Sequence, residues 1–288
     1  MIILLGGSGF VGQEFQHYLM SQDIAFKNLT RAECDYTSKG ALAKAIASLK
    51  PNFLINCAGY TGKPNVDACE FHRAECIDGN AVLPGTIREV CEDARLTWGH
   101  VSSGCIYTGR REDGEGFTEE DEPNFSFRTN NCSFYSGTKA LGEEVLEEAE
   151  NCYIWRLRIP FNNVNSPRNY LSKLINYDTL LEAENSISNL ADFARCGVET
   201  MTKGAKPGVY NITNTGFVTT YEVTSLIEKY LLPEKNFKFF NDEDEFMKIA
   251  ARTPRSNCVM DNSKLRNAGI KITDVHDAVI QALKDWVS

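Results

Sequence analysis

Short apolar runs alternate with longer amphipathic segments over the first 160 residues. Continuous apolar runs of this kind are typical of parallel strands that are buried on both faces. The run at residues 2–5 is continuous, and further predicted strands lie at 24–29, 53–59, 97–103 and 153–159. The segments between them carry apolar residues at helical spacing. Repeated strand–helix units predict an α/β fold with a doubly wound parallel sheet of the Rossmann type.

The pattern changes after Pro160. A polar loop at 162–169 precedes shorter elements of mixed type. Helical patterns are expected at 170–182, 189–202, 221–231 and 275–286, and short strands at 209–212 and 237–240. We therefore expect residues 1–160 to form one domain and 161–288 a smaller mixed α/β domain, some segments of which return to the first. The polar residues 108–131 are expected to form a surface loop that partly covers the site.

Composition narrows the classes of partner. The 288 residues carry a net charge of -9, and the pI is near 5.1. Such acidity argues against nucleic acid or an anionic membrane as the main partner. The ten cysteines include no C-x-x-C pair, so no metal site is expected. The chain starts directly on an apolar strand, without the features of an export signal, and we expect reduced thiols in a cytoplasmic protein.

A glycine-rich turn joins the first strand to the first helix. Gly6, Gly9 and Gly12 follow the strand, with Phe10 and Val11 between the last two, and a helical pattern runs from Gln13 to Met20. Glycine allows the backbone to come close to a pyrophosphate, and the free N–H groups of the helix start can bind the phosphate oxygens. Although this spacing differs from G-x-G-x-x-G, its strand–turn–helix context predicts a dinucleotide-binding site.

The next two strands suggest which dinucleotide binds. Arg31 follows the second strand, where an arginine suits the 2′-phosphate of NADP and a carboxylate suits the ribose of NAD. We therefore expect NADPH, with NADH still possible. Asp35 lies close enough to reach the adenine. Cys57, Ala58 and Gly59 end the third strand, and their small side chains leave space for the cofactor.

Tyr135 and Lys139 lie four residues apart at the start of a predicted helix. This spacing puts both side chains on one helix face. A free tyrosine has a pKa of about 10, and a neighbouring ammonium lowers it by favouring the phenolate. The pair could therefore donate a proton to a carbonyl oxygen.

With Ser103 added, these motifs resemble the extended short-chain dehydrogenase/reductase family over nearly the whole chain. The resemblance implies that Ser103 bonds the substrate carbonyl and that Tyr135 donates a proton to it. It also implies that Lys139 binds the nicotinamide ribose and tunes Tyr135. A homodimer is implied by the same resemblance.

Five stretches narrow the resemblance, at 62–70, 103–107, 156–160, 167–173 and 254–257. They look like the bifunctional 3,5-epimerase/4-reductases that make UDP-rhamnose, which are similar to dTDP-4-dehydrorhamnose reductases. The implied substrate is UDP-4-keto-6-deoxy-glucose. Asn169 and Arg255 are then expected to hold its uridine and diphosphate, because arginine binds phosphate oxygens bidentately and stays charged.

Epimerisation requires groups beyond those that reduce a ketone. Loss of hydrogen from C3 or C5 gives an enolate, whose oxygen Ser103 and Tyr135 would stabilise. Inversion then needs two acid/base groups on opposite faces of the ring. Cys105 is one candidate, since a thiol with a pKa near 8.5 can give or take a proton. Lys173 stands where the resemblance implies the second.

Two other interpretations stay open. One is a 4-keto-sugar reductase that acts on a dTDP sugar without epimerising it. The other is a non-catalytic regulatory subunit that binds NADP, although the intact Ser103, Tyr135 and Lys139 set argues against it. The sequence does not separate a UDP sugar from a dTDP sugar.

Overall fold

The computed structural model describes residues 1–287 and places a parallel sheet at its centre. The strands are β1 (Ile2–Leu5), β2 (Phe26–Leu29), β3 (Phe53–Asn56), β4 (Trp98–Ser103), β5 (Cys152–Leu157), β6 (Pro160–Phe161), β7 (Glu184–Asn185), β8 (Ser188–Asn189), β9 (Gly208–Asn211) and β10 (Val218–Thr219). Six of them form one sheet in the order β2-β1-β3-β4-β5-β9. All neighbours in that sheet are parallel, which confirms the predicted α/β class.

Helices cover both faces of this sheet. They are α1 (Phe10–Ser21), α2 (Lys39–Leu49), α3 (Arg73–Ile77), α4 (Leu83–Ala94), α5 (Phe134–Val145), α6 (Tyr170–Asn176), α7 (Leu190–Thr202), α8 (Thr220–Tyr230), α9 (Glu243–Ile249), α10 (Ser263–Asn267) and α11 (Val275–Lys284). Helices α1 and α7 pack together, as do α2 and α4. Over residues 1–287, none of the helices has the length and apolar character that a bilayer crossing needs.

Alternate residues of β1 enter different cores, as the two-residue period of a strand requires. Ile3 and Leu5 pack with residues of α2 and α4. Ile2 and Leu4 pack with α1 and α7, where the Phe15 ring stacks on Trp155 with centroids 5.7 Å apart. Every residue of β1 is buried, which explains its unbroken apolar run.

A third core lies beyond the sheet. It joins α6, α8 and α11 through residues that include Leu171, Val223 and Val279. The chain does not stay in this region, because α7 packs on α1 and β9 pairs with β5 along the edge of the main sheet. Residues 190–211 therefore belong to the main sheet and its covering helices, although they follow Pro160 in sequence.

Two predicted elements after Pro160 are wrong in extent. Helix α6 ends at Asn176, so residues 177–182 are not helical. The Leu180 N–H instead donates to the Lys238 carbonyl at 2.8 Å. This contact belongs to an isolated bridge with Phe239 and not to a strand over 237–240. Leu180 is buried by contacts with 238–240 and not as part of a helix face.

The 108–131 loop is anchored over much of its length. Phe117 and Phe125 are buried, and the Phe117 ring stacks on Tyr107 with centroids 4.5 Å apart. The Phe117 backbone also forms an isolated bridge with Met260. This segment is therefore packed against the residues around 258–261, and its apolar anchors hold it there.

A buried ion pair joins β5 to α5. Arg156 Nη2 lies 2.8 Å from Glu143 Oε2, and the two side chains are only 5% and 10% exposed. The neighbouring pair of Arg128 and Glu144 has a similar distance but is far more exposed. Removal of one partner of a buried pair leaves an uncompensated charge, whereas an exposed charge is solvated by water.

We expect Glu143→Ala to lower the free energy of unfolding by about 3–5 kcal/mol. The matched control Glu144→Ala should cost less than about 1 kcal/mol. Equilibrium urea unfolding of both variants measures the difference. Equal losses would show that burial does not distinguish the two pairs.

Candidate active site

The glycine-rich turn brings the start of α1 against the end of β3. Gly6 has a φ of +71°, and a Cβ there would lie 2.5 Å from the Ala58 nitrogen. In the described chain no side chain caps α1, whose N-cap is Gly9. The first N–H groups of α1 are therefore available to an anion at the carboxyl edge of the sheet. This geometry fits a dinucleotide pyrophosphate.

A cavity of about 440 Å³ continues this edge. Arg31, Gly59 and Tyr60 are among its lining residues. The Arg31 guanidinium lies 5.5 Å from the centroid of the Tyr36 ring. The cavity thus has a cation at its outer end, where an arginine can meet a phosphate.

Asp35 and Cys57 have local contacts at the same edge. The Asp35 carboxylate accepts hydrogen bonds from the Thr37 N–H and hydroxyl, at 3.2 and 2.5 Å. These bonds lower the pKa of Asp35. Burial raises the pKa of the Cys57 thiol, which therefore stays protonated and serves as a small neutral wall.

Ser103 ends β4 and caps the short 3₁₀ turn Gly104–Ile106. Its Oγ accepts the Cys105 N–H at 3.2 Å. The Tyr135 phenol and the Cys105 thiol both lie close enough to this hydroxyl for it to lower their pKa values. The structure therefore brings together three predicted catalytic groups, and the link among them is one serine hydroxyl.

Lys139 connects the catalytic helix to β4. Its side chain is almost wholly buried, with 6% exposure, and its Nζ donates to the Val101 carbonyl at 3.1 Å. Burial lowers the pKa of Lys139. Burial and the nearby Lys139 charge together hold the pKa of His100 well below its ordinary value, so this histidine is neutral.

Tyr135 is held in its protonated form. Burial raises its pKa well above the ordinary value, and the Cys105 side chain adds to the rise. The hydrogen bond with Ser103 opposes the shift but is the smaller effect. The sequence argument expected Lys139 to lower this pKa, whereas in the structure burial sets the direction. The phenol therefore carries a proton that it can give to a carbonyl oxygen, and the raised pKa makes it a weaker acid than a free tyrosine.

Asn80 fixes α5 against the turn that follows β3. It lies in a one-turn π-helix, Asp78–Val82. Its amide pairs with both backbone groups of Tyr60, at 2.9 and 2.8 Å, and donates to the Thr138 hydroxyl at 3.1 Å. Gly142 allows close packing here, since a Cβ would lie 2.1 Å from the Asn80 carbonyl oxygen. Asn80 therefore sets the position of the helix that carries Tyr135.

The surroundings of the buried Cys105 thiol shift its pKa in opposite directions. Burial raises its pKa. Hydrogen bonds with Ser103 and Ser136, and the charges of Arg158 and Lys139, act in the opposite direction. The pKa of Cys105 is raised overall, so the thiol form is favoured, and the polar and charged neighbours offset only part of the effect of burial.

Lys173 lies on α6 beside two arginines. Burial lowers its pKa, and the charges of Arg168 and Arg255 lower it further. Arg168 donates to the Thr61 hydroxyl at 3.0 Å and to the Gly62 carbonyl at 2.7 Å. The cationic cluster of Lys173, Arg168 and Arg255 therefore contacts the loop after β3. Repulsion among its positive charges favours the neutral amine of Lys173.

The two predicted nucleotide ligands have partners within the chain. Asn169 is fully buried, and its amide caps α6 and donates to the Asn162 and Val164 carbonyls. Arg255 binds both carboxylate oxygens of Asp67, at 2.6 and 2.9 Å. Their roles toward a substrate stay predictions, and a ligand would compete with Asp67 for the Arg255 fork.

A second cavity, of about 430 Å³, opens next to Arg255. The segments 181–184 and 240–243 form two of its sides, and Arg110 and Asn257 contribute to the lining. The lining carries both signs of charge, because acidic side chains stand beside the two arginines: Glu182, Glu184, Asp242 and Glu243.

Comparison with known proteins assigns the family. A family model described as the RmlD substrate binding domain matches residues 1–288. The chain belongs to this family. A bifunctional dTDP-4-dehydrorhamnose 3,5-epimerase/dTDP-4-dehydrorhamnose reductase of Arabidopsis thaliana is 32% identical over 284 residues, 97% of this chain and 91% of that protein.

A longer relative from the same organism combines three activities. It is a trifunctional UDP-glucose 4,6-dehydratase/UDP-4-keto-6-deoxy-D-glucose 3,5-epimerase/UDP-4-keto-L-rhamnose-reductase, 34% identical over 285 residues. The alignment covers 97% of this chain but only 41% of that protein. This RmlD-family chain therefore spans about two fifths of the length of its trifunctional relative.

Solved structures support the fold of this RmlD-family protein. The UDP-rhamnose synthase L780 of Acanthamoeba polyphaga mimivirus matches with a TM-score of 0.90 at 22% identity, covering 99% of this chain and 98% of that one. A dTDP-4-dehydrorhamnose reductase of Bacillus anthracis in complex with NADP matches with a TM-score of 0.81 at 19% identity, covering 99% and 97%. Both likenesses concern the fold.

Three residues near the site had no assigned role in the sequence argument. Asp67 and Arg158 stand in stretches that carry the family resemblance, and Asn80 stands inside a predicted helix. The available signal was an arginine at the end of an otherwise apolar strand, since such positions are rarely charged. The partner of Asp67 lies 188 residues away in sequence, and no local pattern indicates it.

Proposed function

We propose that this protein converts UDP-4-keto-6-deoxy-D-glucose to UDP-L-rhamnose as an NADPH-dependent 4-ketoreductase and 3,5-epimerase. The observation that carries the proposal is that the side chains of Tyr135 and Cys105 converge on Ser103, whose Oγ also accepts the Cys105 N–H. A plain ketoreductase needs the first two groups. A thiol beside them supplies an acid/base group that reduction does not use.

The reductase part has the broader support. The chain belongs to the RmlD family, and reductase activity appears in the names of both Arabidopsis relatives. A 4-keto sugar nucleotide is therefore the substrate class that family and site both favour. We assign residues 1–160 mainly to the cofactor and 161–288 mainly to the sugar nucleotide.

The cofactor site is assigned from its fit to the chain. The N–H groups after Gly9 would hold the pyrophosphate, and Arg31 would meet the 2′-phosphate. Lys139 has donors beyond the one given to Val101, and they suit the nicotinamide ribose. Bound NADPH supplies a hydride to C4 of the sugar.

Tyr135 and Ser103 act on the oxygen at C4. As the carbonyl is reduced, the Tyr135 phenol gives its proton to that oxygen, and Ser103 donates a hydrogen bond to it. The raised pKa of Tyr135 keeps the phenol protonated until this step. The same two groups stabilise the enolate that forms when C3 or C5 loses hydrogen.

Cys105 and Lys173 form the acid/base pair of the epimerase part. One removes hydrogen from a ring carbon beside C4, and the other supplies a proton to the opposite face. The lowered pKa of Lys173 makes its neutral amine accessible. The raised pKa of Cys105 keeps its thiol protonated as a proton donor, and its neighbours reduce the cost of forming the thiolate. Asn169 fixes the loop before Lys173, and Arg255 is assigned to the diphosphate.

Solvent exchange at C3 and C5 tests the epimerase part. In D₂O, wild-type protein should replace both hydrogens of the keto sugar, as mass spectrometry or NMR would show. Cys105→Ala and Lys173→Met should each slow exchange by at least about 100-fold, the usual contribution of one general acid or base. Cys91→Ala, at a buried core cysteine on α4, is the matched control.

If Cys105→Ala exchanged both hydrogens at the wild-type rate, Cys105 would have no part in epimerisation, and only the reductase part of the proposal would remain. Absence of NADPH oxidation by the wild-type protein with the keto sugar, followed at about 340 nm, would remove the reductase part as well. That second result would favour a non-catalytic subunit.

Arg31→Ala tests the cofactor assignment. Loss of a charged hydrogen bond to the 2′-phosphate removes about 1.5–3 kcal/mol, so NADPH binding should weaken by at least about tenfold. NADH binding should change little, because NADH lacks that phosphate. Fluorescence titration with both cofactors measures this. Arg95→Gln, which follows α4 at the opposite edge of the sheet, should alter neither affinity.

Equal weakening of both cofactors by Arg31→Ala would show that Arg31 does not read the 2′-phosphate. The uridine form of the substrate and the homodimer remain part of the proposal, and both follow from the resemblance and not from a contact in this chain. The cytoplasmic location stays an expectation from the sequence.

A further inference from the structure

Arg158 is a buried cation without an acidic partner among the described residues. Its side chain is 6% exposed. Nη2 donates to Asn185 Oδ1 at 2.5 Å and to the Ser256 carbonyl, while Nε has no hydrogen-bond partner. Arg156, two residues earlier on β5, is neutralised by Glu143. A buried charge that lacks a counter-ion is costly, so Arg158 needs a different explanation.

The register of the sheet places Arg158 beside the catalytic turn. Ser103 of β4 pairs with Leu157 of β5, and the next residues of the two strands are Gly104 and Arg158. A Cβ on Gly104 would lie 3.4 Å from Arg158 Cδ. The arginine side chain therefore passes the backbone that joins Ser103 to Cys105.

Arg158 differs from the other groups that face Cys105. The catalytic helix α5 supplies Tyr135, Ser136 and Lys139. The loop before it supplies Cys132, and the 3₁₀ helix Val66–Glu70 supplies Cys69. Burial favours the neutral form of all the ionisable members of this set. Arginine keeps its charge in proteins, so Arg158 is a permanent cation beside the thiol.

We propose that Arg158 is a positioning residue that stabilises the thiolate form of Cys105 for proton transfer at the sugar ring. This inference rests on the proposed epimerase function. When the thiolate takes hydrogen from a carbon beside C4, the C–H bond breaks and an S–H bond forms. The electron pair passes into the enolate, whose oxygen Ser103 and Tyr135 hold. In the reverse direction the thiol gives its proton to the carbon and becomes a thiolate again, which Arg158 stabilises.

Direct titration of Cys105 tests this role without substrate. Thiolate absorbance near about 240 nm is recorded against pH, and the Cys105→Ser curve is subtracted to isolate this thiol. Arg158→Met should move the midpoint upward by about one pH unit or more, a tenfold loss of thiolate at fixed pH. Arg158→Lys keeps a cation and should shift less. Arg168→Met, whose charge faces Lys173, should leave the midpoint unchanged.

An unchanged midpoint in Arg158→Met would overturn the proposal. If that variant does not fold, Arg158→Gln replaces it, because an amide can still donate to Asn185. The same midpoint in Arg158→Gln and wild type is then the contradicting result.

Exchange measurements separate this inference from the proposed function. The ratio of deuterium exchange at C3 and C5 to NADPH-dependent reduction should fall about tenfold in Arg158→Met. The pH of half-maximal exchange should rise with the thiol midpoint. A role in folding alone would lower both rates together and overturn the inference. If wild-type protein exchanges no hydrogen, the epimerase function fails, while the titration still decides whether Arg158 stabilises the thiolate.

Discussion

The buried amine of Lys139 holds the site together. Its hydrogen bond to the Val101 carbonyl joins the helix that carries Tyr135 to the strand that ends in Ser103. A lysine in this position loses most of its hydration, and its lowered pKa reflects that loss. The contact fixes the phenol and the serine hydroxyl relative to each other. Asn80 supports the same helix from the other side, through Thr138.

Two buried arginines near the end of β5 have different partners and, in this account, different roles. Arg156 is neutralised by Glu143, and this pair ties the strand to the catalytic helix. Arg158 directly follows the end of this strand, without such a pair, beside the turn around Cys105. The difference is in the partners and not in burial, since both arginines are buried. An unpaired cation is retained in a core when another group can use its field.

The sheet could be predicted from sequence because its strands are buried on both faces. The run at 2–5 has no polar interruption, and each of its residues enters one of two cores. The glycine turn and the Tyr135–Lys139 spacing were local patterns in the same sense. In contrast, the apolar spacing at 170–182 predicted six residues of helix that do not exist, because Leu180 is buried through contacts with 238–240. The spacing of apolar residues indicates which residues are buried, but it does not indicate which element they pack against.

The electrostatics of the site were less accessible to sequence reasoning. The pKa of Tyr135 depends on how deeply the phenol is buried, and the spacing to Lys139 does not contain that information. Arg255 is paired with an aspartate 188 residues away, and Arg158 meets Gly104 only through the register of two strands. These interactions are made by the tertiary fold, so they become visible only when the chain is folded.

The central claim is that a thiol and an amine flank the same ketone that Tyr135 protonates. A crystal structure with NADP⁺ and UDP-rhamnose measures this directly. We predict Cys105 Sγ and Lys173 Nζ on opposite faces of the hexose, each within about 3–4 Å of C3 or C5 or joined to it by one water. Either group turned away, with no water path to the ring, would contradict the account.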